Sequence, residues 1–126
     1  MNVLILTDFS ETSTNAGKYA VDFLQDKQVN FHILNIHNFN FERSAGKGLE
    51  KELVSTLDAL QDTVDFLGEY SKPKLHKFDL ILSSENLIGA IRKALIDKKI
   101  DLIFIGAVSQ NEHAHPILGD HAYEVV

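Results

Sequence analysis

The fourteen residues Gly106–Gly119, GAVSQNEHAHPILG, hold the densest set of chemically useful positions in this chain. They follow an apolar run, DLIFIG, and lead into a helix start at Asp120. A strand that runs through a glycine-punctuated loop into a helix N-terminus can converge backbone N–H groups on an anion. The same loop permits a second chemistry. His113 and His115 form an H-x-H pair that, with Glu112 or His121, offers ligands to zinc or nickel. Surface-loop histidines are more often solvated than ligating, so the anion reading comes first. Elsewhere SAGKG at 44–48 lacks the G-x-x-x-x-G-K-[ST] spacing of a phosphate loop and is set aside. No Ser-His-Asp or paired-carboxylate spacing supplies a nucleophile or a general base, so binding is expected rather than catalysis.

Composition narrows the classes. The 126 residues are 44% hydrophobic and 24% charged, an ordinary mixture for a single domain with a real core. With no cysteine, disulfides, thiolate chemistry and sulfur-ligated metals are excluded. No apolar run reaches the roughly 20 residues of a membrane span, and no basic segment precedes VLIL, so the expectation is a cytoplasmic protein. A net charge of −6 argues against nucleic acid and anionic membranes as partners. An anionic ligand would have to be held by backbone dipoles.

Those loop residues need elements to position them. Asn2–Thr7 (NVLILT) is continuously apolar, as suits a central parallel strand buried on both faces. Ser10 or Thr12 can cap the helix that follows, with Ala16, Tyr19, Ala20, Phe23 and Leu24 at helical spacing. A second strand is expected from Val29 to about His37, with His32 and His37 as edge or loop residues, then a loop over Asn38–Gly48. Leu53, Leu57, Leu60, Val64 and Leu67 form one stripe of a long helix over Leu49–Tyr70, halted by Pro73. A third strand around Leu75–Leu82 precedes a helix with Leu87, Ile88, Ile91, Ala94 and Leu95 on one face. Asp101–Gly106 is the fourth strand. Alternating strands and helices predict a parallel sheet covered on both faces, with ligands beyond the carboxyl ends of the strands at a topological switch point. There the ends of the first strand (Thr7, Asp8) and of the fourth (Gly106) should be neighbours.

Two stretches, VLILTDFSETSTNAGKYAV and IRKALIDKKIDLIFIGAVSQNEHAHPILGDHAYEVV, resemble the universal stress protein family. The first carries that family's Thr-Asp-Phe-Ser-like turn. The second approximates its Gly-x-x-Gly, nine residues, Gly-Ser/Thr pattern. The resemblance implies a flavodoxin- or Rossmann-like three-layer α/β sandwich and a stress-response regulatory role. It also implies ATP or AMP as ligand, with Thr7 and Asp8 facing the nucleoside, Ile36 packing on the base and Gly106 opening the phosphate loop.

The pattern is incomplete. Ser109 stands at the second glycine, and Asp120 replaces the Ser or Thr that follows Gly119. An ionised Asp120 can only accept hydrogen bonds, and two unit charges about 4 Å apart repel by roughly 4 kcal/mol at an effective dielectric near 20. The nucleotide site is therefore expected to be weak or vestigial. A fifth strand, which the resemblance calls for, is missing from the sequence. The chain is expected to be a C-terminally incomplete domain, either a fragment of a longer tandem protein with a partner domain or one whose open edge is covered by another chain, as in a homodimer.

Overall fold

The structure, a computed structural model, describes residues 1–37, 47–71 and 75–106. Its elements run β1 (Asn2–Leu6), α1 (Glu11–Phe23), β2 (Val29–Ile36), α2 (Lys47–Tyr70), β3 (His76–Ser83), α3 (Leu87–Asp97) and β4 (Leu102–Ile105). All four strands are parallel, in the order β3-β2-β1-β4. The α/β sandwich expected from the strand–helix alternation is thus the observed fold. The helix α2 begins at Lys47, so the expected loop ends two residues early. Residues 38–46, 72–74 and 107–126 lie outside the description.

Strand order explains the layering. The chain steps outward from β1 to β2 to β3 and then returns across the sheet to β4. Crossovers of one hand taken in opposite directions place their helices on opposite faces. Accordingly α1 and α2 share a core with Val3, Ile5, Phe31, Ile33 and Phe104, whereas α3 buries Ala90, Ile91 and Ala94 against Leu4, Leu34 and Ile103. Side chains of β1 alternate between the two cores, which is why its run has no polar interruption.

Small residues dominate the buried face of α1. α1 turns Ser13, Ala16, Gly17, Ala20 and Val21 inward, and a Cβ built at Gly17 would stand 2.9 Å from Leu67 Cδ1. Tyr19 and Phe23, expected on the buried stripe, are exposed, as are Leu53 on α2 and Leu87, Ile88 and Leu95 on α3. Apolar spacing marks a stripe, but small residues decide where a helix touches a sheet.

His32 is also corrected. It is buried within β2, an interior strand, where Nδ1 lies 2.6 Å from Asp79 Oδ1 of β3 and Nε2 lies 3.2 Å from Asn2 Oδ1 of β1. The strand places a polar ring among apolar neighbours, and two flanking strands supply its partners, as burial requires. His76 ties three elements together, with Nε2 2.9 Å from the Leu24 carbonyl and Nδ1 2.6 Å from Ser71 Oγ. A carbonyl only accepts, so Nε2 carries the proton and Ser71 donates to Nδ1.

Both assigned caps follow propensity. Ser10 Oγ accepts from Ser13 N at 3.1 Å, and Asn86 Oδ1 accepts from Gly89 N at 2.7 Å. α3 ends with Lys99 at φ 52°, the left-handed position that helix ends usually give to glycine. Lys99→Gly is expected to raise stability by about 0.5–1 kcal/mol, the strain relieved less the entropy added to the unfolded chain. Urea denaturation reads it, and a loss of stability would refute it.

Candidate functional site

β1 and β4 are adjacent although their helices leave on opposite faces, so the switch point opens between their carboxyl ends. Leu6 pairs with Ile105, which sets the next residues, Thr7 and Gly106, side by side. Thr7 N also donates to Leu34 O at 2.9 Å and continues the ladder toward Ile36. Thr7, Asp8, Ile36 and Gly106 therefore all lie at the carboxyl ends of the adjacent strands β2, β1 and β4. Ser109, Gly119 and Asp120, and the metal alternative of Glu112, His113, His115 and His121, lie outside the described residues. Among the described residues no group of His, Asp or Glu is arranged to hold a metal ion.

The turn from β1 into α1 is held by its own polar groups. Thr7 is buried, with its hydroxyl 3.2 Å from Ser13 Oγ, and it accepts from Phe9 N at 3.1 Å. Asp8 Oδ1 accepts from Ser10 N at 2.9 Å. Phe9 between them adopts φ 67°, a conformation that costs a non-glycine residue roughly 1–2 kcal/mol. The Thr-Asp-Phe-Ser sequence is thus a compact turn that turns Asp8 outward at the strand end.

Burial pulls the Asp8 pKa up, but hydrogen bonds from the Ser10 side chain and backbone, the Ser13 side chain and its own backbone outweigh this and hold it below the ordinary value of 3.8. Asp8 is therefore an anion at neutral pH. A depressed carboxylate contributes stability that is present above the unfolded value and is lost as pH falls through the folded one. Asp8→Asn should accordingly flatten the fall in stability below about pH 4, as measured by urea denaturation at stepped pH. An unchanged acid limb would refute the assignment.

Gly106 has a packing role. A Cβ there would stand 2.7 Å from the Thr12 carbonyl oxygen, 2.8 Å from Ser13 Cα and 2.9 Å from Ala16 Cβ. Only glycine lets the end of β4 lie against the first turn of α1.

The contacts of two neighbouring residues escaped the sequence reading. Asn35 is 4% exposed on the α1/α2 face of β2, and its Nδ2 donates to the Thr7 carbonyl at 2.8 Å while Oδ1 is buried without a hydrogen-bond partner among the described residues. The signal was present, since Asn35 breaks the alternate apolar positions Val29, Phe31 and Ile33 close to the strand's carboxyl end. His37 donates its backbone N–H to Ser83 O at 2.8 Å, and its Nε2 lies 2.6 Å from Glu52 Oε1 of α2. Nothing in sequence spacing links those two side chains.

The arrangement is an exposed, ionised carboxylate at a switch point beside the carboxyl end of β4. A model of the universal stress protein family matches residues 1–126. The chain belongs to that family. Solved members have the same fold at low sequence identity. Universal stress protein UspA from Lactobacillus plantarum is 22% identical over 94% of this chain and 83% of its own, with a TM-score of 0.64. A family member from Burkholderia pseudomallei is 13% identical over 98% and 88%, with a TM-score of 0.65. A universal stress protein crystallised in complex with cAMP is 14% identical over 82% of this chain and 69% of its own, with a TM-score of 0.62. No curated protein sequence matches the chain.

Proposed function

We propose that this universal stress protein domain is a cytoplasmic regulatory module that binds an adenine nucleotide weakly, favours ligands with few phosphates, and acts through association with a second copy or a tandem partner domain. The observation that carries the reading is Asp8. Its carboxylate stands outward at the switch point and is ionised at neutral pH, as an acceptor for nucleoside hydroxyl or amino groups requires. That negative charge occupies the N-terminal end of α1, where a phosphate would otherwise be favoured. Phosphate binding is left to the segment after Gly106, whose sequence carries Ser109 and Asp120 in place of the family's glycine and hydroxyl residue. The cAMP complex of a similar fold supports an adenine nucleotide with one phosphate as the ligand class. Among the described residues no helix is long and apolar enough to cross a membrane.

Thermal-shift titration with adenosine, AMP, cAMP and ATP tests this on the wild type, Asp8→Ala and Asp120→Ser. A ligand at 100 times its dissociation constant stabilises by about 2.7 kcal/mol. The expected result is a response to AMP or cAMP that Asp8→Ala loses, with ATP gaining on Asp120→Ser. A silent wild type together with a silent Asp120→Ser would overturn the nucleotide reading, and equal responses in wild type and Asp8→Ala would remove Asp8 from the site.

A further inference from the structure

The peptide unit between Thr7 and Asp8 is gripped at both ends. Its carbonyl oxygen accepts from Asn35 Nδ2 at 2.8 Å, and its N–H, on the backbone nitrogen of Asp8, donates to Ser13 Oγ at 3.4 Å. A trans peptide is planar and directs its C=O and N–H to opposite sides, so two contacts on the one plane settle its tilt. The direction of the Asp8 side chain follows from that tilt. Among the described residues the other side-chain hydrogen bonds of the turn come from positions 7–14, within its own segment. Asn35 reaches it from β2, 28 positions away. On its face of β2, Asn35 follows Val29, Phe31 and Ile33, one residue beyond the last β1–β2 pair of Leu6 with Leu34, and is opposite Leu82 of β3. A leucine would suit that surface. Burying an amide there costs free energy unless each polar atom is paired, and Oδ1 has no hydrogen-bond partner among the described residues. The turn that Asn35 braces carries a cost of its own in Phe9, at φ 67°, and such backbone persists only where its surroundings fix it. The two costs flank Asp8.

We propose that Asn35 is a positioning residue of the nucleotide site: it holds the Thr7 carbonyl so that the Asp8 carboxylate keeps the direction in which it meets a ligand. The ligand rests on the nucleotide reading above, whereas the hold on Asp8 belongs to the chain itself. With Asn35 replaced by leucine the carbonyl end of the peptide is released, and the plane can turn about the Ser13 contact alone. The bonds that Asp8 makes to Ser13 and Ser10 then weaken together. Burial raises the Asp8 carboxyl, and the hydrogen bonds from Ser10, from Ser13 and from its own backbone hold it below 3.8 nonetheless. Its titration therefore reports the hold directly.

Carbon-13 NMR titration of the Asp8 carboxyl in the full chain, with AMP binding measured by calorimetry on the same samples, tests this on the wild type, Asn35→Leu, Asn35→Ala and Ile33→Val. Asn35→Ala adds no bulk and serves where leucine strains the strand, and far-UV circular dichroism verifies the fold of each variant. Ile33→Val trims the same buried face two residues earlier and is the control for general loosening. The expected result is an Asp8 titration that moves up toward the ordinary 3.8 in both Asn35 variants and keeps its wild-type position in Ile33→Val. The AMP dissociation constant should rise about tenfold or more in Asn35→Leu, as misplacement of a binding group entails. An Asp8 titration unchanged in both Asn35 variants overturns the proposal, and so does an equal movement in Ile33→Val. A wild type that does not bind AMP removes the nucleotide reading alone, because the Asp8 titration still decides whether Asn35 holds the turn.

Discussion

A Gly106→Val chain is expected to lose about 3 kcal/mol of stability, read as a lower urea midpoint at unchanged slope, and with it any response to nucleotide. The first carbon of the new side chain would fall 2.7 and 2.8 Å from backbone atoms of Thr12 and Ser13. Backbone in the first turn of a capped helix cannot rotate aside, so α1 must lift off β4 or β4 must leave its register with β1. Either movement draws Ser13 Oγ from Thr7 and loosens the turn that holds Asp8. Gly17→Ala is the control. Its added carbon meets the ends of the Leu67 side chain, 2.9 and 3.1 Å away, which can change rotamer, and its cost should stay below about 1.5 kcal/mol. Equal losses at the two positions would show that α1 is not seated on the end of β4.

Phe31→Ala should cost more, roughly 3–5 kcal/mol. Phe31 is fully buried in β2, stacked on Phe78 at 5.0 Å and edge-on to His76 at 5.0 Å. Its removal leaves a void that Val3 and Val29 cannot fill without shifting strands, and it strips His76 of a packing partner beside the hydrogen bond to Leu24. Equilibrium denaturation measures the loss, and Phe31→Leu separates its parts by retaining most of the volume without the ring contacts. A cost under about 2 kcal/mol for the alanine variant would mean that this core relaxes around the gap far more than close-packed interiors usually do.

Element order was readable because every strand and helix has a strong period and a chemical stop. The expected and observed ranges differ by one residue at one end of β2 and by one residue at each end of β3 and β4, and Ser10 caps α1 as its position suggests. Facing was less readable. Tyr19 and Phe23 share a period with Ala16 and Ala20, but only the small residues fit between helix and sheet, and the rings are displaced to the margin. His32 looked peripheral because its polarity was weighed without Asp79 and Asn2, partners 47 and 30 positions away. At the site, Asp8 and Gly106 could be named from local sequence. The coupling of Asn35 to the Thr7 carbonyl and of His37 to Glu52 could not, since each depends on strands or helices meeting across the fold.

The place of β1 between β2 and β4 has a consequence for the chain as it is made. One side of β1 can be paired once residues 29–36 emerge, but the other must wait for residues 102–105, and the hydrogen bond from Asn2 N to Asp101 spans 99 positions. At roughly 5–20 residues per second, several seconds separate the two events on the ribosome. Through that interval the nascent chain carries an apolar strand, VLIL, with one side unsatisfied. Nascent chains stalled after residue 90 should therefore bind holdase chaperones that chains extended through residue 126 release.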